Sequence, residues 1–133
     1  MNNNIAAEVA LEVISSNNFA LIGTVNNIGN PNIKALVKIK QEGLKRFYFN
    51  TQIGSVKVHQ MKDHKEGCVY FFDGMRHIGV LLEGEFHIID NVDAGISEIY
   101  QAIAIDQFHL CTVEFVTKTV SVYKDYETVV FEV

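Results

Sequence analysis

Between Asn32 and Gln41 the chain alternates: Ile33, Ala35, Val37 and Ile39 fall on one side and Lys34, Lys38 and Lys40 on the other, with Leu36 the exception. Period-two alternation marks a β-strand with one buried and one wetted face, because successive side chains point to opposite sides of the pleat. The strand is bracketed by Asn26-Asn27-Ile28-Gly29-Asn30-Pro31-Asn32 and by Gln41-Glu42-Gly43, concentrations of turn formers that no helix continues through. Apolar runs precede and follow it, at Phe19 to Val25 and Arg46 to Asn50. The pattern predicts a three-stranded meander whose middle strand shows an apolar face to the core and a basic face outward.

The rest of the chain continues in that style. Cys68 to Phe72 is a short apolar strand, and Asp73-Gly74 is a turn signal leading into His77 to Ile89. There Ile78, Val80, Leu82, Phe86 and Ile88 share a face, and Gly84 sits where a bulge or barrel corner belongs. Leu110 to Val122 and Thr128 to Val133 read as two last strands around the turn at Lys124-Asp125. Helical spacing occurs at Ile5, Ala6, Val9, Ala10 and Val13, in a short segment from Ser55 to about His64, and at Ile96, Ile99, Tyr100 and Ile103 within residues 92–104. Six to seven strands, about three short helices and no βαβ rhythm predict a mostly β (α+β) fold, an antiparallel closed or partly closed barrel. With 133 residues, no linker and no repeat, a single domain spanning 1–133 is expected.

Composition narrows the function. A net charge of −5 with only two arginines, Arg46 and Arg76, works against nucleic-acid binding, which needs clustered cations to release counterions. No apolar run approaches the ~20 residues of a membrane span, and the start Met-Asn-Asn-Asn lacks a signal-peptide pattern, so a cytoplasmic protein is expected. Cys68 and Cys111 each lie in an apolar run, which fits free buried thiols better than a disulfide. The five histidines, His59, His64, His77, His87 and His109, have no metal-ligand spacing, and no metal site is expected. His77 is kept as a candidate site residue because it follows the Asp73-Gly74 turn.

One stretch carries chemistry. Phe47-Tyr48-Phe49 is an aromatic strand; Asn50-Thr51-Gln52 turns it; then Gly54 leads to Ser55, which can cap a helix with Lys57 in its first turn. Hydroxyls, free backbone N–H groups and a lysine at one helix N-terminus make an anion site, most usefully a phosphate site. Lys34, one strand over at a spacing of about 4.8 Å, can reach the same anion. No phosphate-loop, dinucleotide-fingerprint, nucleophile-elbow or zinc-peptidase motif competes with it.

At these residues the chain resembles the FMN-binding split-barrel family related to pyridoxamine 5′-phosphate oxidase and the general stress flavoproteins. The resemblance runs from Phe19 to about Phe86. It rests on Gly23-Thr24-Val25 with the Gly29-Asn30-Pro31 turn, Lys34, Phe47-Tyr48-Phe49-Asn50-Thr51, Gly54-Ser55-Val56-Lys57, Gly67-Cys68-Val69-Tyr70-Phe71-Phe72 and Leu82-Glu83-Gly84-Glu85. It implies an antiparallel split β-barrel that binds FMN between the subunits of a homodimer. Lys34, Thr51, Ser55 and Lys57 would hold the phosphate, Asn50 and Val56 would also belong to the cofactor-binding residues, Leu36 and Val37 would lie along the flavin ring, and Phe72, Met75 and His77 are the candidates to reach the flavin of the partner subunit. Two departures accompany the matches. The family's usual Ser-Arg-Lys is Ser55-Val56-Lys57, and Lys34 stands where an arginine is usual. The oxidase's C-terminal segment with Arg and Trp has no counterpart, since the chain has no Trp and no Arg after Arg76, so vitamin B6 oxidation is not expected. The resemblance implies a small flavin oxidoreductase acting on a small molecule, and alternatively an FMN carrier or a split barrel for haem or another ligand.

Overall fold

A computed structural model of the protein describes residues 1–52, 54–89 and 110–133. The expected helix at 92–104 lies outside the described residues. The first helix, α1 (Asn3–Ser15), starts where the Asn2 side chain accepts the Ile5 N–H and buries Ala6, Ala10, Val13 and Ile14. Seven strands follow, β1 (Phe19–Val25), β2 (Pro31–Glu42), β3 (Arg46–Gln52), β4 (Glu66–Asp73), β5 (Ile78–Ile89), β6 (Leu110–Lys124) and β7 (Glu127–Glu132), with α2 (Val56–Asp63) between β3 and β4.

All strand pairs are antiparallel, and the sheet runs β3-β2-β1-β4-β5-β6-β7. It closes because the first half of β6 returns to β3, from Leu110 opposite Gln52 to Val116 opposite Arg46. The second half leaves β3 and takes β7, from Thr119 opposite Glu132 to Lys124 opposite Glu127. The result is a closed six-stranded barrel with one strand added, the split barrel that the turn and strand pattern and the resemblance implied. At the crossover a bulge separates Glu83 opposite Thr119 from Gly84 opposite Thr117. A side chain on Gly84 would run into the Val116 carbonyl, so only glycine fits this corner.

The barrel is filled by Phe47, Phe49, Phe71, Phe86 and Phe115 with Ile22, Val69, Val80, Leu82 and Val113, all buried. Phe86 and Phe115 face each other across β5 and β6 with ring centroids 4.8 Å apart. Each buried phenylalanine contributes about 2–3 kcal/mol by the area it removes from water. Among the described residues no helix is long and apolar enough to cross a membrane.

The middle strand of the meander corrects the alternation argument. Ile33, Ala35 and Val37 face outward, with Ile33 69% and Val37 43% exposed, while Leu36 packs on the core. Lys34 lies opposite buried Ile22, and Lys38 turns inward to donate to Ile14 O and Gln41 Oε1, its ammonium 5.7 Å from the centre of the Phe71 ring. Ile39 is the extra residue of a bulge between Lys38 and Lys40, which puts Lys40 outside over Tyr48. Long lysine stems can line a barrel mouth while their heads find carbonyls and rings. The outward apolar residues continue onto Phe19 opposite Val37 and Leu21 opposite Ala35. Hydrophobic alternation therefore read the strand correctly but misplaced Ile33, Ala35, Val37 and Lys38, while Lys34 and Lys40 are exposed as expected.

Candidate functional site

The pairing of β2 with β3 stops at Lys38 opposite Phe49. Beyond it β2 continues beside β1 alone, while Asn50, Thr51 and Gln52 of β3 pair with Thr112, Cys111 and Leu110 of β6. The parting of β2 from β3 opens one corner of the barrel. α2 begins there, with Ser55 at its N-cap position and its buried Val58 and Met61 turned to the core. Thr24 of β1 anchors the helix by donating to Gln60 Oε1 at 2.6 Å.

Ser55 takes the capping position without capping. Its backbone is extended, its side chain makes no cap hydrogen bond, and its Oγ is shielded from solvent with no partner among the described residues. An N-cap serine normally satisfies one of the helix's orphan N–H groups, so here both the hydroxyl and the first-turn N–H groups remain available to a further acceptor. A buried hydroxyl left unbonded costs about 1–3 kcal/mol, which an anion at this corner would recover.

Two lysines come close to each other at this corner. The Lys57 ammonium is pushed below its ordinary value, first by burial and then by the positive charge of Lys34. Cys111, opposite Thr51, acts on Lys57 in the other direction, so Thr51 belongs to the same corner. Neither lysine is ion-paired among the described residues. Lys34 and Lys57 thus come close to one another at the start of α2, with Cys111 and its strand partner Thr51 on the same side and Ser55 at the N-cap position. Asn50 is buried next to them but already engaged, accepting from Thr112 Oγ1 at 2.9 Å.

The remaining expected residues are placed differently. Leu36 packs on the core and Val37 points outward, so along this open stretch of β2 they present mainly backbone. Val56 is 67% exposed at the first helical position and brings no charge. Phe72, Met75 and His77 sit at the β4–β5 turn, by α1, where Arg76 Nη1 holds Glu12 Oε1. α2 instead leads to the opposite end of that hairpin, where Phe86 N donates to Lys65 O. The three are remote from the corner within one chain. Cys111 and Thr112 were not foreseen, because their part depends on a strand pairing between positions 62 residues apart.

The sequence profile of the pyridoxamine 5′-phosphate oxidase family matches residues 6–124, and the chain belongs to that family. Among solved structures it is similar to a Clostridium acetobutylicum protein related to general stress protein 26 of B. subtilis (pyridoxinephosphate oxidase family). The TM-score is 0.82 and the identity 26%, over 100% of this chain and 97% of that one. A pyridoxamine 5′-phosphate oxidase-related, FMN binding protein from Nostoc punctiforme shares the fold at TM-score 0.67 and 13% identity, covering 100% of this chain and 97% of that one. A heme binding protein from Mycobacterium smegmatis does so at TM-score 0.76 and 12% identity, covering 96% of this chain and 57% of that one. A search of curated proteins finds no match.

The donor set at the corner fits a phosphate ester. Two ammonium groups can offset a dianion, and the orphaned Ser55 hydroxyl and first-turn N–H groups can donate. The fit is leaner than a site with an arginine at position 56, since no guanidinium fork is present.

Proposed function

We propose that the protein is a homodimeric FMN-binding split barrel that acts as a small flavin-dependent oxidoreductase on a small-molecule substrate. The observation that carries this reading is the shielded, unbonded Ser55 Oγ at the start of α2, a helix whose first turn carries Lys57 with Lys34 close to it and with no ion pair to either lysine among the described residues. Lys34, Thr51, Ser55 and Lys57, with the N–H groups of Val56 and its neighbours, hold the phosphate. Asn50, fixed by Thr112, keeps the end of β3 in place. The backbone of Leu36 and Val37 lies along the ring, and Phe72, Met75 and His77 come from the second copy. FMN, when bound, supplies hydride or single-electron exchange at its N5. The protein's part is to orient the ring and exclude water, and no side chain is assigned as acid or base.

The apolar outer face supports the second copy. Phe19 and Leu21 of β1, Ile33 and Val37 of β2 and Phe72 of β4 are 43% to 69% exposed. Contiguous apolar surface on a sheet is usually covered by a partner. Flavin absorbance in the purified or FMN-titrated protein, lost on Lys57→Ala, supports the proposal; a protein that neither carries nor takes up FMN contradicts it. NAD(P)H-dependent reduction of bound flavin separates an enzyme from a carrier. A second reading, a haem site, rests on the shared fold of the M. smegmatis heme binding protein, and a haem spectrum on reconstitution would favour it.

A further inference from the structure

We propose a second small-molecule site, at the β4–β5 and β6–β7 turns, that takes a small aromatic ammonium ion. Arg76, His77, Tyr123, Asp125 and Tyr126 line a cavity of about 200 Å³ there. Among the described residues only three besides glycine have left-handed backbones, His77 (φ 56°), Asp125 (φ 51°) and Tyr126 (φ 62°), and all three line this cavity. A two-residue hairpin with both positions left-handed is relaxed with Asn-Gly, whereas a tyrosine there is strained by its Cβ. Strain of this kind persists where the side chain has a use.

The charges choose the ligand. Arg76 is already committed, its Nε to Asp73 Oδ2 and its Nη1 to Glu12 Oε1, each at 2.6 Å. Asp125 lines the same cavity with no hydrogen bond or ion pair among the described residues, while the Arg76 charge is already matched by Asp73 and Glu12 and the neighbouring Lys124 does not line the cavity. The walls are aromatic. His77 meets Tyr123 edge-on at 5.8 Å and 78°, and Tyr126, 97% exposed, stands at the rim of the cavity. Ring faces with one unpaired carboxylate favour an organic cation and disfavour an anion. The cavity is lined from one chain and lies away from that chain's own α2, while His77 is shared with the proposed contact to the partner's flavin, so the titration is made on FMN-free protein.

The test titrates the full-length protein with benzylammonium, benzoate and benzyl alcohol while following the ring resonances of His77, Tyr123 and Tyr126 by NMR. Benzylammonium is expected to shift these rings to saturation and benzoate to leave them unmoved. Asp125→Asn, which tolerates the left-handed backbone, should weaken benzylammonium about tenfold. Adding Tyr126→Gly should abolish binding while raising Tm, because the turn is relaxed. Equal response to benzoate, no saturation by benzylammonium, or an Asp125→Asn variant of unchanged affinity would overturn the proposal.

Discussion

Lys34 of β2 and Lys57 of α2 share one corner of the barrel, close enough for the charge of the first to make the second harder to protonate, and neither has a carboxylate partner among the described residues. Proteins seldom leave two cations together, or a buried hydroxyl unbonded, without a use, since each arrangement weakens the empty fold. Lys57→Ala should therefore leave stability unchanged or slightly raised, while FMN affinity falls by about 1.5–3 kcal/mol, the worth of a charge-assisted hydrogen bond. Denaturant unfolding of the FMN-free protein and flavin titration measure the two quantities, and a parallel loss of both would show a structural lysine.

Ser55→Ala behaves unlike an ordinary cap substitution. Removing a working N-cap costs about 1 kcal/mol. Ser55 makes no cap bond and buries an unsatisfied Oγ, so alanine should cost nothing or stabilise the FMN-free protein. Affinity for FMN should drop at the same time. Urea unfolding that shows the usual capping loss would mean the hydroxyl is engaged in solution.

The pH dependence follows from the same pair. Burial and then Lys34 lower the Lys57 pKa from 10.5 in the free protein, and a bound dianion raises it again. Binding needs charged Lys57, so affinity is full at neutral pH and falls as pH rises through that lowered value, before 10.5 is reached. On the acid side it should grow as the phosphate loses its second proton near pH ~6. For the empty fold the sign is opposite: charged Lys57 is a cost below its lowered pKa, relieved as pH rises through it. FMN titrations across pH check the profile, and affinity constant up to pH 10.5 would exclude Lys57 from the site.

Much of this was legible in the sequence. Turn residues at Asn26 to Asn32 and Asp73-Gly74, the glycine at the bulge and the strand-turn-helix run through Ser55 are local signals, and the fold uses each one. The faces of β2 were not legible. Alternation reports that a strand has two unlike sides, and it took Lys38 bonding to Ile14 O, the bulge at Ile39 and the outward Ile33 to show which side is inside. Nor was the role of Cys111, because closure of β6 onto β3 is a contact between distant segments that no local pattern encodes.

The outer face makes its own prediction. Leu21, 44% exposed between Ala35 and Tyr70, lies near the middle of the apolar sheet surface. Leu21→Lys should fold normally, its side chain being outside the barrel, yet convert the proposed dimer to a monomer in sedimentation and weaken FMN binding with it. A variant that remains dimeric would move the interface elsewhere.

The comparison of FMN with riboflavin tests the central claim most directly, because the two differ only in the phosphate assigned to Lys34, Thr51, Ser55 and Lys57. Titrated against the same protein at neutral pH, FMN should bind at least ~100-fold more tightly, the worth of about two charge-assisted hydrogen bonds. Equal affinities, or binding of neither, would contradict a phosphate site at the start of α2.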